Sequence, residues 1–163
     1  GRFTPGGNTD SERAFCYLLD QLVKRFGYHE PKLDQVFDLL AEISPAIAEH
    51  GTFNFCLSNG QALFSYAITK LHWLVREYPF RPAQLIDIEV EVDFSQVTTP
   101  EDRVAVITTA PLTQNEEWTA FQPGEMILFQ HGAKVRSQST HVKRLERERL
   151  DPSLKRVTRA DQY

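Results

Sequence analysis

The sequence predicts an α+β domain in which two amphipathic helices are followed by a run of mostly antiparallel strands. Three observations carry this. Apolar residues recur at three- and four-residue steps over residues 14–47, the pattern changes to alternation after Gly51, and turn signals follow at short intervals. The 163 residues, 41% apolar and 25% charged, suit one globular domain whose core needs no disulfide or metal to hold it.

The first helix is predicted from Thr9-Asp10-Ser11-Glu12, a capping box in which Thr9 caps the helix and Glu12 reaches back. Ala14, Phe15, Leu18, Leu19, Leu22, Val23 and Phe26 then form one stripe, and Gly27 is a natural stop. A second helix is expected to begin around Pro31, in a first turn that tolerates proline, and to run to about Glu49. Its apolar face is Leu33, Val36, Phe37, Leu40, Ile43 and Ile47, with Pro45 bending or dividing it. Next, Phe53, Phe55 and Leu57 alternate with Asn54, Cys56 and Ser58; Asn59-Gly60 supplies a hairpin turn and residues 61–69 the return strand. A third strand over residues 71–75 is expected to continue the meander. After a loop marked by Pro79 and Pro82, Ile86, Ile88, Val90, Val92 and Phe94 alternate with Asp87, Glu89, Glu91 and Asp93, which predicts a strand with one core face and one acidic face. Residues 104–109 and 126–130 read as further strands, the latter after the Pro123-Gly124 turn, and residues 114–121 as a turn or short helix.

Eighteen basic against 22 acidic residues leave a net charge of −4, unevenly spread. Residues 136–163 carry an excess of four positive charges, so the body stands near −8. The expected organisation is therefore a domain over residues 1–135 and a basic tail over residues 136–163. Glu146 and Glu148 lie among the tail's arginines and aromatics are almost absent, so a solvated helix or loosely ordered terminus is expected rather than a nucleic-acid-binding surface. No apolar run reaches membrane-spanning length, and two cysteines are too few for a disulfide framework, so a cytoplasmic protein is expected.

Candidate chemistry is sparse. Cys16 and Cys56 read as buried structural thiols, inside a helix and a strand respectively. His29, His50, His72, His131 and His141 have no metal-ligand spacing and stay unassigned; no metal or cofactor is expected. Gly6-Gly7-Asn8-Thr9-Asp10 lacks the lysine of a phosphate-binding loop. Asp10 has two readings. A carboxylate in the first turn complements the helix dipole, and a short acidic side chain after flexible glycines, beside the hydroxyls of Thr9 and Ser11, could receive the ammonium of an amino-acid ligand.

The segment Gly7-Asn8-Thr9-Asp10-Ser11-Glu12-Arg13-Ala14-Phe15 resembles the Thr-Asp-Ser/Thr-Glu signature of class II glutamine amidotransferases, members of the N-terminal-nucleophile hydrolases. The stretches Phe53-Asn54-Phe55-Cys56-Leu57-Ser58-Asn59-Gly60, Leu71-His72-Trp73-Leu74, Val92-Asp93-Phe94-Ser95-Gln96-Val97-Thr98-Thr99-Pro100 and Val104-Ala105-Val106-Ile107-Thr108-Thr109-Ala110-Pro111-Leu112-Thr113, with Trp118 and Pro123-Gly124-Glu125, resemble its compact stand-alone branch. The resemblance covers residues 7–135.

It implies part of a four-layer αββα sandwich and hydrolysis of the glutamine side-chain amide to glutamate and ammonia, with transfer to an acceptor left open. In such enzymes an N-terminal cysteine is the nucleophile and its own α-amino group the base; an Asn-Gly pair supplies oxyanion donors. By motif position the resemblance assigns Asp10 to the α-ammonium of L-glutamine, with Thr9 and Glu12 supporting the helix cap. Gly1 is not the nucleophile, and Asn59-Gly60, which follows the motif rather than preceding it, is not the oxyanion pair. The expectation is that this chain is the C-terminal portion of an amidotransferase domain, inactive alone, whose catalytic groups lie on an N-terminal segment that acts as its partner. The oligomeric state stays open. Two rival readings are a catalytically silent interaction module presenting the acidic face of residues 87–93 or the tail, and an anion or nucleic-acid binder acting through the tail.

Overall fold

The computed structural model describes residues 1–88, 91–95 and 97–150. The chain divides into two compact units: Gly1–Gly51 with the described part of Thr140–Tyr163, and Thr52–Ser139.

The first unit is helical. Helix α1, Asp10–Phe26, begins at the expected capping box and ends at Gly27, which adopts φ 61° and donates its N–H to the Val23 carbonyl at 2.8 Å. Helix α2, Leu33–Ala48, starts later than the proline suggested. Pro31 stands two residues ahead of it, and the Lys32 N–H donates to Gln35 Oε1 at 2.9 Å. The helix runs through Pro45 undivided, and the buried Ser44 hydroxyl donates to the Leu40 carbonyl at 2.6 Å. Val36, Phe37, Leu39, Leu40, Ala41 and Ile43 are all buried, so α2 is apolar over most of its circumference, whereas α1 fully buries Leu18 alone. Arg25 of α1 donates to both carboxylate oxygens of Glu42 of α2, at 3.2 and 3.0 Å. Helix α3, Lys143–Leu150, follows the buried Val142, and its Arg147 donates to Glu49 at 2.7 Å.

The second unit is built on two antiparallel sheets. One has the order β1-β2-β8-β9, with β1 Phe55–Ser58, β2 Leu63–Ala67, β8 Glu125–Gln130 and β9 Ala133–Ser139. The other has the order β6-β3-β7, with β3 His72–Glu77, β6 Arg103–Thr108 and β7 Thr119–Ala120. A two-stranded ribbon pairs β4, Ala83–Gln84, with β5, Glu91–Val92. Leu63, Ala67, Ile127 and Phe129 of the first sheet meet Trp73, Ala105 and Ile107 of the second around Leu71 and Phe121. The strand register explains the selection. Leu63 is opposite Phe129, and Trp73 is opposite Ile107, so the period-two alternation presents one side of each sheet to this cluster. Phe64, Tyr66, Met126 and Leu128, on the alternate face of the first sheet, are also buried.

Several expectations are corrected. The β1–β2 connection is not a two-residue turn: Ser58 pairs with Leu63 across a four-residue loop. In that loop Asn59 Oδ1 accepts the N–H groups of Gln61 and Ala62, at 3.1 and 3.0 Å. The tight turn is made instead by His131 and Gly132, with φ of 49° and 72°, between the paired residues Gln130 and Ala133. A Cβ on Gly132 would also run into the backbone of Arg103. Strand β3 does not extend the meander but founds the second sheet. The single strand expected over residues 86–94 is absent among the described residues. Leu85 bridges to Thr113, the Ile86 N–H donates to the Leu112 carbonyl, and Ile86 and Ile88 are both exposed. Glu89 and Val90 of that stretch lie outside the described residues. No helix forms over residues 114–121, which hold bends and β7. Strand β9 runs to Ser139, with a bulge between Leu128 and Phe129 of its partner strand. The part of the tail over residues 151–163 lies outside the described residues.

Candidate functional site

The candidate site is the N-terminus of α1. Thr9 takes an extended conformation, φ −81° and ψ 146°, and its hydroxyl oxygen accepts the Glu12 N–H at 3.2 Å. Glu12 Oε2 in turn accepts from the Thr9 N–H at 3.4 Å and the Thr9 hydroxyl at 3.0 Å. This closes the reciprocal ring that the sequence motif encodes and satisfies two of the N–H groups that a helix start leaves without intrahelical partners.

Asp10 is the first residue of α1, with its side chain fully exposed. Among the described residues its one ion pair is with Arg13, whose Nη1 lies 4.0 Å from Asp10 Oδ1, one helical turn on. Arg13 is not among the site residues expected from the sequence, although its i, i+3 spacing from Asp10 encodes this pairing. Capping is done by Thr9 and Glu12, so the Asp10 carboxylate is not consumed by the helix end. The Thr9 hydroxyl is engaged in both directions by Glu12, whereas Ser11, next to Asp10 in the chain, is exposed. Upstream, Asp20 Oδ1 accepts the N–H groups of Arg2 and Phe3, at 2.7 and 3.0 Å, and so ties the leading segment to the middle of α1.

The other candidates do not gather here. Cys16 is half-buried in α1 and Cys56 is exposed on β1, 3.3 Å from the Ser65 hydroxyl, so Cys56 is not the buried thiol expected. It sits on the outermost strand of its sheet, where one flank has no neighbouring strand among the described residues. His29, His50, His131 and His141 are exposed. His72 Nδ1 and Trp73 Nε1 are buried without a hydrogen-bond partner among the described residues. No three His, Cys, Asp or Glu side chains among the described residues are grouped to hold a metal ion, and no described helix is long and apolar enough to cross a membrane. Within the tail, Arg147 is engaged by Glu49, and His141 Nδ1 lies 3.4 Å from Glu146.

A second polar cluster, missed by the sequence reading, lies in the β-sheet unit. Arg76 donates through Nε and Nη2 to both oxygens of Glu116, each at 2.7 Å. The buried Thr113 hydroxyl donates to Glu116 Oε2 at 2.6 Å and accepts from Trp118 Nε1 at 3.0 Å. The Arg76 hydrogen bonds, against the opposing effect of burial, hold the Glu116 carboxyl below the usual glutamate range. The Arg76 guanidinium also stands 5.3 Å from the centre of the Phe94 ring.

Mixed helices and antiparallel sheets, with a Thr-Asp-Ser-Glu box opening the first helix, are consistent with the α+β fold of N-terminal-nucleophile amidotransferases. The family model described as "Glutamine amidotransferases class-II" matches residues 1–153, and the chain belongs to that family. It is 45% identical over 135 residues to "Putative glutamine amidotransferase YafJ" of Escherichia coli strain K12, an alignment covering 83% of this chain and 53% of that protein. A Haemophilus influenzae protein, "Putative glutamine amidotransferase", is 40% identical over 131 residues, covering 80% of this chain and 44% of the other. Among solved structures, the 2.0 Å crystal structure of a "predicted glutamine amidotransferase" from Pseudomonas aeruginosa PA01 superposes with a TM-score of 0.73 at 40% identity, covering 82% of this chain and 53% of that one. The chain therefore spans about half the length of the relatives it matches.

Proposed function

We propose that this chain is the substrate-ammonium-binding part of a glutaminase-type amidotransferase that releases glutamate and ammonia from L-glutamine. One observation carries the reading. In a chain of this family, the capping box leaves Asp10 uncapped, exposed and held at the mouth of α1 by a backbone that Thr9 and Glu12 fix. An amino-acid ammonium donates well to such a carboxylate, because a charge-assisted hydrogen bond is stronger than a neutral one. The exposed Arg13 pair is weak competition at this distance and exposure.

The thiolate that attacks the γ-amide, its amine base and the oxyanion donors belong, in this reading, to a segment outside the chain. Neither Cys16, half-buried in α1, nor Cys56, on β1, carries an α-amino base. Asp10 orients glutamine and takes no part in bond breaking. The test is glutamate release from L-glutamine, measured for this chain alone and for the complete polypeptide that contains it. The expectation is turnover by the complete protein and none by the chain alone. Turnover by the chain alone, abolished by Asp10→Ala, would place the nucleophile within it and overturn the division of labour.

A further inference from the structure

We propose that Glu12 is a positioning residue for Asp10, and that Gly7 is required because it leaves room for the Glu12 carboxylate; this rests on the reading of Asp10 as the ammonium acceptor. Asp10 has no strong partner that fixes its direction. Its only ion pair among the described residues is the 4.0 Å contact with exposed Arg13. Its aim is therefore set by the backbone of the first turn, and that backbone is closed by the Thr9–Glu12 ring of three hydrogen bonds.

Gly7 lies against the same carboxylate. A Cβ at position 7 would stand 2.6 Å from Glu12 Oε2, closer than real Cβ contacts allow, and a tight 3.3 Å from Cδ and Oε1. The carboxylate is the free end of a flexible side chain, so it would yield rather than the helix. Yielding breaks its bonds to the Thr9 N–H and hydroxyl, frees the loop leading into α1, and lets the Asp10 backbone sample other directions. Gly7 and Glu12 thus act on the substrate's ammonium through Asp10 without touching the substrate.

The test is a set of steady-state measurements on the complete, glutaminase-competent protein with Glu12→Ala, Glu12→Gln, Gly7→Ala, Asp10→Asn and the Asp10→Asn/Glu12→Ala pair. Glu12→Ala and Gly7→Ala are expected to raise KM for L-glutamine by about 2- to 12-fold, the size of one net hydrogen bond lost from the Thr9–Glu12 ring, with kcat unchanged. Glu12→Gln, whose amide oxygen still accepts from Thr9, is expected to recover most of that loss. In the Asp10→Asn background Glu12→Ala is expected to add nothing, because the group it positions is no longer an anion. The same KM factor in both backgrounds, or a fall in kcat at constant KM, would overturn the proposal. Should Glu12→Ala not fold, Glu12→Gln and Gly7→Ala decide it by the same comparison. An Asp10→Asn protein with unchanged KM would overturn the underlying reading instead, and is distinguishable because it involves Asp10 alone.

Discussion

Replacing Glu116 by Gln removes one negative charge from the Arg76–Glu116–Thr113–Trp118 network while keeping its shape. The Arg76 and Glu116 side chains are only 18% and 17% exposed, so the guanidinium would be left largely desolvated with no counter-charge. Breaking a fully buried pair costs about 3–5 kcal/mol and an exposed one about 0–1 kcal/mol; at this burial, with one Arg76 hydrogen bond retained by the amide oxygen, about 2–3 kcal/mol is expected. For a chain of this length that corresponds to a Tm lower by about 4–12 °C.

Urea unfolding followed by tryptophan fluorescence suits the measurement, because Trp118 Nε1 donates into the network. The pH dependence sharpens it. The Glu116 carboxyl is held low chiefly by hydrogen bonding from Arg76, so its contribution is complete above the unfolded-chain value, about 4.3, and is lost as pH falls through the lower folded-state value. The gap between wild type and Glu116→Gln should therefore be full at neutral pH and close in strong acid. A double replacement, Arg76→Met with Glu116→Leu, should recover much of the loss, since an apolar pair leaves no uncompensated charge. Glu116→Gln stability within about 0.5 kcal/mol of wild type, the scatter of ordinary surface substitutions, would refute the reasoning. So would a deficit that persists unchanged at low pH.

Two further outcomes are expected. Gly132→Ala forces a side chain into a left-handed residue and into the Arg103 backbone, and should destabilise by more than the roughly 1 kcal/mol that left-handed strain alone costs; denaturant unfolding measures it. Thr9→Ala removes the α1 cap and should cost about 1 kcal/mol, read in thermal unfolding by circular dichroism, with Thr9→Ser close to wild type.

What was legible in the sequence is what is local. The α1 boundaries follow from a capping box at one end and a glycine at the other, both determined within a few residues, and the structure places them at Asp10 and Phe26. The apolar stripe of α2 was equally clear, although Pro31 fell outside the helix because Lys32 takes the extended cap conformation. Sheet membership was not legible. Nothing in residues 71–75 states that β3 pairs with β6, about 30 residues away, rather than with β2 beside it. Turn chemistry misled in an instructive way. Asn59 spends its side-chain oxygen on Gln61 and Ala62 in a wider loop, while His131, a residue tolerant of the left-handed region, makes the tight turn with Gly132. The alternation of residues 86–94 is not realised as one strand: pairing at Leu85 and Ile86 goes to Thr113 and Leu112, Glu91 and Val92 pair instead with Gln84 and Ala83, and Ile86 and Ile88 are left exposed.

For the site, Asp10, Thr9 and Glu12 were all readable from one motif, and Arg13 from its spacing. The crowding of Gly7 against Glu12 was not, because it depends on how the loop folds back over the first turn. The Arg76–Glu116 pair joins residues 40 apart and leaves no periodic trace.

The proposed role of Asp10 is to receive the α-ammonium of glutamine. It is tested most directly by the kinetics of glutamate release from the complete protein with Asp10→Asn. A KM for L-glutamine raised by about ten- to hundred-fold, the size of a lost charge-assisted hydrogen bond, is expected, with kcat largely kept. A KM unchanged by that substitution, in a protein that still turns over glutamine, would contradict it.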